Sequence, residues 1–230
     1  MAAYNFNKIF MEIRYGNALF FNDMSKLQLI IDELSFLFPV SNYDTNQKAL
    51  ILANLEKHYF LNIFADRLIL DVDRPNDFDA FSEIGVKCME SISKSLNIKQ
   101  YHRVGMRSIR GLRKKNIGEA NNYVKKNFIK GNDSVFSSLG SNLNDYGTSF
   151  SFENNGYKII MNIKANSMQT LEIENNVVKQ NEQIFQVLID SDIFKEGILD
   201  KNEINSGFIK GVIEINVGKI NAFINTMSVY

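Results

Sequence analysis

Alternating apolar and polar residues mark Tyr4 to Tyr15 as a strand: Phe6, Ile9, Met11 and Ile13 stand among Lys8, Glu12 and Arg14, and Gly16 closes the run. The period then changes. After Asn22 and Asp23, either of which suits an N-cap, Leu27, Ile30, Ile31, Leu34, Leu37 and Phe38 recur at helical spacing up to Pro39. Three strand-like runs follow, Ala49 to Leu55, Tyr59 to Ala65 and Leu68 to Asp73, and predict an antiparallel meander. Pro75 to Asp77 supplies a stop and a cap. Phe78, Phe81, Ile84, Cys88, Ile92 and Leu96 then trace the apolar stripe of a second helix, with Cys88 inside it.

The second half repeats this order. Gln100 to Arg113 reads as a long strand and Gly118 to Ile129 as a helix. Gly147 to Glu153, Tyr157 to Lys164, Thr170 to Ile173 and Ile184 to Asp190 read as strands, and Asn202 to Met227 as a long closing helix. Ile204, Phe208, Val212, Ile215, Ile220, Phe223 and Met227 give that helix an apolar side. Gly207, Gly211 and Gly218 share another side, which predicts close packing onto a sheet in preference to a dimerisation face. Gly131 to Asn144, rich in Ser, Gly and Asn, reads as a flexible loop.

The expected fold class is therefore α+β. The expectation is a tandem repeat of strand, helix, three or four strands and helix, with halves at 1–98 and 99–230 that share one continuous sheet. Arg14 in Met11-Glu12-Ile13-Arg14 and Arg107 in Val104-Gly105-Met106-Arg107 occupy corresponding places ahead of their helices. This connectivity is similar to that of saddle-like folds such as the TATA-binding protein and, more loosely, of helix-grip proteins, in which a curved antiparallel sheet packs on long helices. The likeness concerns fold alone.

Composition narrows the function. At 230 residues and 45% hydrophobic, the chain is long enough for a substantial core. The 26 basic residues balance the 26 acidic ones, so no global cationic field exists to coat nucleic acid or anionic membrane. No apolar stretch is long enough to span a membrane. One cysteine and an N-terminus without the signal-peptide order of basic then apolar residues lead us to expect a cytoplasmic protein. The chain holds 29 Asn and no Trp, a bias that carries no mechanism.

Catalytic signatures are missing: there is no phosphate-binding lysine loop, dinucleotide glycine motif or nucleophile elbow. His58 and His102 read as structural or surface residues on strands, and two His with one Cys cannot supply a structural zinc site. Asp71 with Asp73 and Asp190 with Asp192 form Asp-x-Asp pairs that would share a strand face and suit a divalent cation. The calcium-loop pattern fails after Asp192, where Phe194 and Lys201 replace oxygen ligands, so a salt-bridged strand face is preferred. No cofactor is expected.

The informative segment runs from Lys99 to Lys130, where six Lys and four Arg meet one Glu, so ten minus one gives +9. On the long strand, Arg103, Gly105, Arg107, Ile109, Gly111 and Arg113 fall on one face, and Val104, Met106, Arg110 and Leu112 on the other. Guanidinium forks separated by glycines suit a carboxylate or phosphate ligand that approaches the backbone closely. The alternative is internal pairing of Arg103 and Arg107 with Asp71 and Asp73 across the sheet. Arg113, Lys114 and Lys115 bunch at the strand exit, with Lys125 and Lys126 on the next helix. The candidate binding residues are thus Arg103, Arg107, Arg110, Arg113, Lys114, Lys115, Lys125 and Lys126.

At this strand a family resemblance enters. Arg103-Val104-Gly105-Met106-Arg107-Ser108-Ile109-Arg110 resembles the Arg-Ile-Gly-Leu-Arg-Tyr-Ile-Asn strand of a sporadically distributed, uncharacterised family of bacterial proteins, with Ser108 and Arg110 in place of Tyr and Asn. Glu12-Ile13-Arg14-Tyr15, the Phe38-Pro39 helix ending and the Asp-Phe-x-x-Phe helix start sit in similar order, so the likeness spans nearly the whole chain. It implies a cytosolic protein without assigned enzyme activity, in a genetic-conflict setting such as phage defence. The leading expectation is a non-enzymatic binding or regulatory protein that holds an acidic protein partner through the basic strand and helix, and a homodimer is compatible with it. The alternative is nucleic-acid binding through the same segment, with Tyr101 and Tyr123 stacking on bases. Third comes a metal-dependent nuclease or nucleotide hydrolase built on the paired Asp residues.

Overall fold

The structure is a computed structural model that describes residues 5–75, 77–129, 145–174, 177–200, 204 and 206–227. Its elements are β1 (Asn5–Tyr15), α1 (Met24–Leu34), β2 (Val40–Asp44), β3 (Ala49–Asn54), β4 (Tyr59–Ile63), β5 (Arg67–Asp73) and α2 (Phe78–Ser95). These are followed by β6 (Gln100–Lys114), α3 (Ile117–Phe128), β7 (Gly147–Asn154), β8 (Tyr157–Glu174), β9 (Val177–Asp200), α4 (Ser206–Glu214) and α5 (Asn221–Met227). A π-helical turn, Ile215–Ile220, joins the last two helices.

The strands form one nine-stranded antiparallel sheet in the order β2-β3-β4-β5-β1-β6-β9-β8-β7. Strict alternation divides its faces. Ile9, Met11 and Ile13 of β1 lie opposite Val72, Leu70 and Leu68 of β5. On the other side they lie opposite Ser108, Met106 and Val104 of β6. These apolar residues join one core with Leu27, Ile30 and Leu34 of α1, Phe81, Cys88 and Ile92 of α2, Val124 of α3, and Phe208, Val212 and Ile220 of the closing helical segment. The helices therefore cover one face. Lys8, Phe10, Glu12 and Arg14 point to the other, which carries no helix among the described residues.

Local signals set the helix starts. The Asp23 carboxylate accepts from the Ser25 amide at 2.9 Å, that of Asp77 from the Ala80 amide at 2.9 Å, and the Asn116 side-chain oxygen from the Glu119 amide at 2.9 Å. Gly85 lets α2 settle on the sheet, since a Cβ there would stand 2.8 Å from Cε of Met11.

Several expectations need correction. α1 ends at Leu34, not Phe38, and its chain turns into the edge strand β2, which the periodicity missed because three of its five residues are exposed and no apolar alternation marks it. Thr170 to Ile173 is not a separate strand: β8 continues through Ala165 to Gln169, which stay in register with Val187 to Gln183 of β9. β9 likewise extends far beyond Ile184 to Asp190. The closing helical segment is described from Ser206 onward, Ile204 before it is not helical, and the expected start at Asn202 lies outside the described residues. Of its glycines, Gly211 packs 3.4 Å from the Tyr157 hydroxyl, but Gly218 has open space around it, so close packing holds at only one of the two. His58 sits in the β3–β4 turn with φ of 55°, not on a strand. The loop read at Gly131 to Asn144 lies outside the described residues.

Candidate functional site

β6 lies beside β1 at the middle of the sheet, so each of its open-face arginines has a strand on both sides. Arg103 donates to Glu12 of β1 at 2.5 Å and to both carboxylate oxygens of Asp192 of β9 at 2.9 and 2.7 Å, with its guanidinium 4.3 Å from the Phe194 ring centroid. Arg107 forms a fork with Asp190, Nε to Oδ1 at 2.8 Å and Nη2 to Oδ2 at 2.6 Å. Glu12 also holds Arg14 at 3.0 Å. Donating hydrogen bonds to Asp190 and to Glu12 raises the pKa values of Arg107 and Arg14, respectively. The Asp192 carboxyl stands above its usual range because burial outweighs the pull of Arg103.

Internal pairing is thus real, but with other partners than those expected. Asp71 and Asp73 bind Lys8 of β1, at 3.4 and 3.2 Å, because β1 lies between β5 and β6 and its lysine reaches them first. The glycines of β6 are also filled from within. A Cβ on Gly105 would lie 2.6 Å from Cβ of Phe194, and one on Gly111 would lie 2.0 Å from the Gln186 side-chain oxygen. The close approach that glycine permits here is made by the neighbouring strands.

Arg110 belongs to the opposite face. It is fully buried and lies 4.2 Å from the Phe6 ring centroid, with hydrogen bonds to Ser108 and Asn216 and no carboxylate in contact among the described residues. Burial lowers its pKa to about 9.

The remaining candidates gather at the exit of β6. Arg113 is 70% exposed and stands 3.5 Å from Glu182. The Lys114 ammonium lies 3.9 Å from the Tyr123 ring centroid, Lys125 lies 5.5 Å from that of Tyr146, and Lys115 and Lys126 are exposed. Tyr101 is excluded from base stacking: it is buried, with its hydroxyl 2.6 Å from that of Ser93.

Reactive groups elsewhere are engaged or enclosed. All four carboxylates of the Asp-x-Asp pairs hold cationic side chains, and no group of three or more His, Cys, Asp or Glu among the described residues is placed to hold a metal ion. Cys88 is buried, and burial raises its thiol pKa. A groove of about 250 Å³ between α1 and β2, lined by Met24, Leu27, Ile31 and Tyr43 among others, contains no cation or carboxylate. No helix among the described residues is long and apolar enough to cross a membrane.

Sequence reading placed Arg103, Arg107 and Arg110 on their correct faces. It missed Glu12, Asp190 and Asp192 as partners because strand order, which brings β1 and β9 against β6, is not written in periodicity. Asn216 was missed for the same reason. No protein-family model and no curated protein matches this chain.

Proposed function

We propose that this protein is a non-enzymatic binding or regulatory protein that engages an acidic protein partner through the exit of β6 and the exposed side of α3. One observation carries the reading: carboxylates from both flanking strands neutralise the central arginines, whereas Lys115, just past the end of β6, and Lys126 of α3 remain exposed. Arg103 and Arg107 then serve the sheet, and the exit serves the partner. A cytoplasmic role in a genetic-conflict system such as phage defence is the context that the family resemblance implies. We also infer an internal duplication. β1 and β6 are adjacent at the sheet centre, and each is flanked outward by the last strand of its own half, β5 or β9, which supports a tandem repeat.

The test is affinity capture from the source cell with wild type and with a Lys115→Glu, Lys126→Glu double variant whose fold is checked by circular dichroism. Loss of at least about tenfold in affinity for the captured protein supports the reading, since several charge contacts each contribute modestly. Equal affinity refutes it.

A second reading, nucleic-acid binding, rests on Lys114 over Tyr123 and Lys125 beside Tyr146, a pairing of cations with aromatic rings. Fluorescence anisotropy with short single-stranded oligonucleotides decides it. Binding that collapses steeply with salt supports phosphate contact, and no binding at low salt removes this reading.

A further inference from the structure

The buried layer between β6, β9 and the π-helical turn has an unusual polar inventory. Arg110 Nη1 donates to the Ser108 hydroxyl at 3.1 Å, and Nη2 donates to the backbone carbonyl of Asn216 at 2.5 Å and to its side-chain oxygen. Ser108 also donates to that side-chain oxygen, at 2.9 Å. Three groups in the same layer are left without a protein partner: Nε of Arg110, Nδ2 of Asn216 and the hydroxyl of Ser191. Ser191 stands directly opposite Ser108 across the β6–β9 ladder, and all four residues are fully buried.

Buried polar groups are normally satisfied, and an orphaned one costs about 1–3 kcal/mol. A buried cation is normally paired. Here both rules fail among residues linked through Ser108, by its hydrogen bonds to Arg110 and Asn216 and its register with Ser191, and the failures have one sign: a guanidinium N–H, an amide NH2 and a hydroxyl can all donate. Donors around an uncompensated positive charge are the complement of an anion. Charge balance with one guanidinium calls for a single negative charge. The surroundings are fully buried and apolar, with the Phe6 ring 4.2 Å from the guanidinium, which excludes large ligands such as phosphates and nucleotides. Asn216 lies within that turn, and π-turns recur at functional sites because they redirect a helix carbonyl and side chain.

We propose that Arg110, Asn216 and Ser191 form an internal binding site for one small monovalent anion, with chloride as the representative ligand. Such an ion would tie the closing helical segment to the sheet and stabilise the native chain by mass action. The site is independent of the partner surface at the β6 exit.

Thermal unfolding of the wild-type protein in increasing sodium chloride, against sodium gluconate at equal ionic strength, is the test. Chloride is expected to raise the midpoint above gluconate along a saturating curve, and Arg110→Gln is expected to abolish the difference. Coincident chloride and gluconate curves would assign the donors to water and overturn the proposal, as would a difference that persists in Arg110→Gln. If Arg110→Gln does not fold, Ser191→Ala removes one donor and should raise the half-saturating chloride concentration by about threefold or more. An unchanged value overturns the proposal equally.

Discussion

Phe194 lies across Gly105 so closely that a Cβ at position 105 would stand 2.6 Å from Cβ of the phenylalanine and 2.9 Å from the carbonyl oxygen of Ile193. The two residues are register partners on β6 and β9, and the Phe194 ring also carries the Arg103 guanidinium at 4.3 Å. The bare glycine therefore positions the aromatic, and the aromatic positions the arginine. Gly105→Ala should force the β9 backbone at Ile193 and Phe194 aside and destabilise the protein by about 1–3 kcal/mol, as overpacking does. A urea-unfolding midpoint equal to that of wild type would contradict this account.

At one end of the β1–β6 ladder Tyr15 faces Tyr101. The Tyr15 hydroxyl donates to the Phe64 carbonyl at 2.8 Å, and that of Tyr101 shares a 2.6 Å hydrogen bond with Ser93. Burial raises both phenols above their ordinary value, at Tyr101 against the opposing hydrogen bond from Ser93. In the unfolded chain these groups lose their protons near pH 10, to about the extent of a free phenol, while the native state keeps them. The native state then binds more protons, so their contribution to stability is complete below about pH 10 and declines above it. Absorbance titration of the nine tyrosines should show these two ionising together with unfolding. Ionisation of all nine before the circular dichroism signal is lost would refute this.

What could be read in the sequence was what local periodicity encodes. The alternation of Val104, Met106 and Leu112 put Arg110 on the core side of β6, and Asp23 and Asp77 announced their helices. Pairing was not legible. Which carboxylate meets Arg103 depends on β1 and β9 lying either side of β6, a relation between residues 91 and 89 positions apart. The edge strand β2 was hidden because an exposed strand has no apolar face to display. The break in the closing helix was hidden too, since a π-turn keeps near-helical spacing and is set by what Asn216 bonds beneath it.

Cys88 tests the integrity of the α2 contact with the sheet. It is 0% exposed, in the same core as Ile92 and Phe81, and burial raises its thiol pKa, so the reactive thiolate is suppressed twice over. The native protein should be inert toward a thiol reagent such as Ellman's, and one thiol per chain should react in denaturant. Prompt reaction of the native protein would mean that α2 leaves the sheet readily.

The two arginine pairs on the open face should differ in strength, because screening by water differs. The Arg103 side chain is 13% exposed and its partner Asp192 29%, whereas the Arg107 side chain is 53% exposed against 18% for Asp190. An exposed pair contributes about 0.2–1 kcal/mol even with fork geometry, since both charges remain hydrated and the side chains lose freedom. At Arg103, removing the cation leaves Glu12 and Asp192 facing each other in a half-buried setting, and stranded charges are more costly than lost attraction. Arg103→Met should therefore destabilise the protein clearly more than Arg107→Met. A double-mutant cycle with Asp192→Asn should give a coupling energy above that of Arg107 with Asp190→Asn. The Arg107 coupling should also shrink with added salt, while the Arg103 coupling persists. Equal couplings, or a salt response in the opposite order, would show that the central network is solvent-screened throughout and that the open face is free to recruit ligand through Arg103.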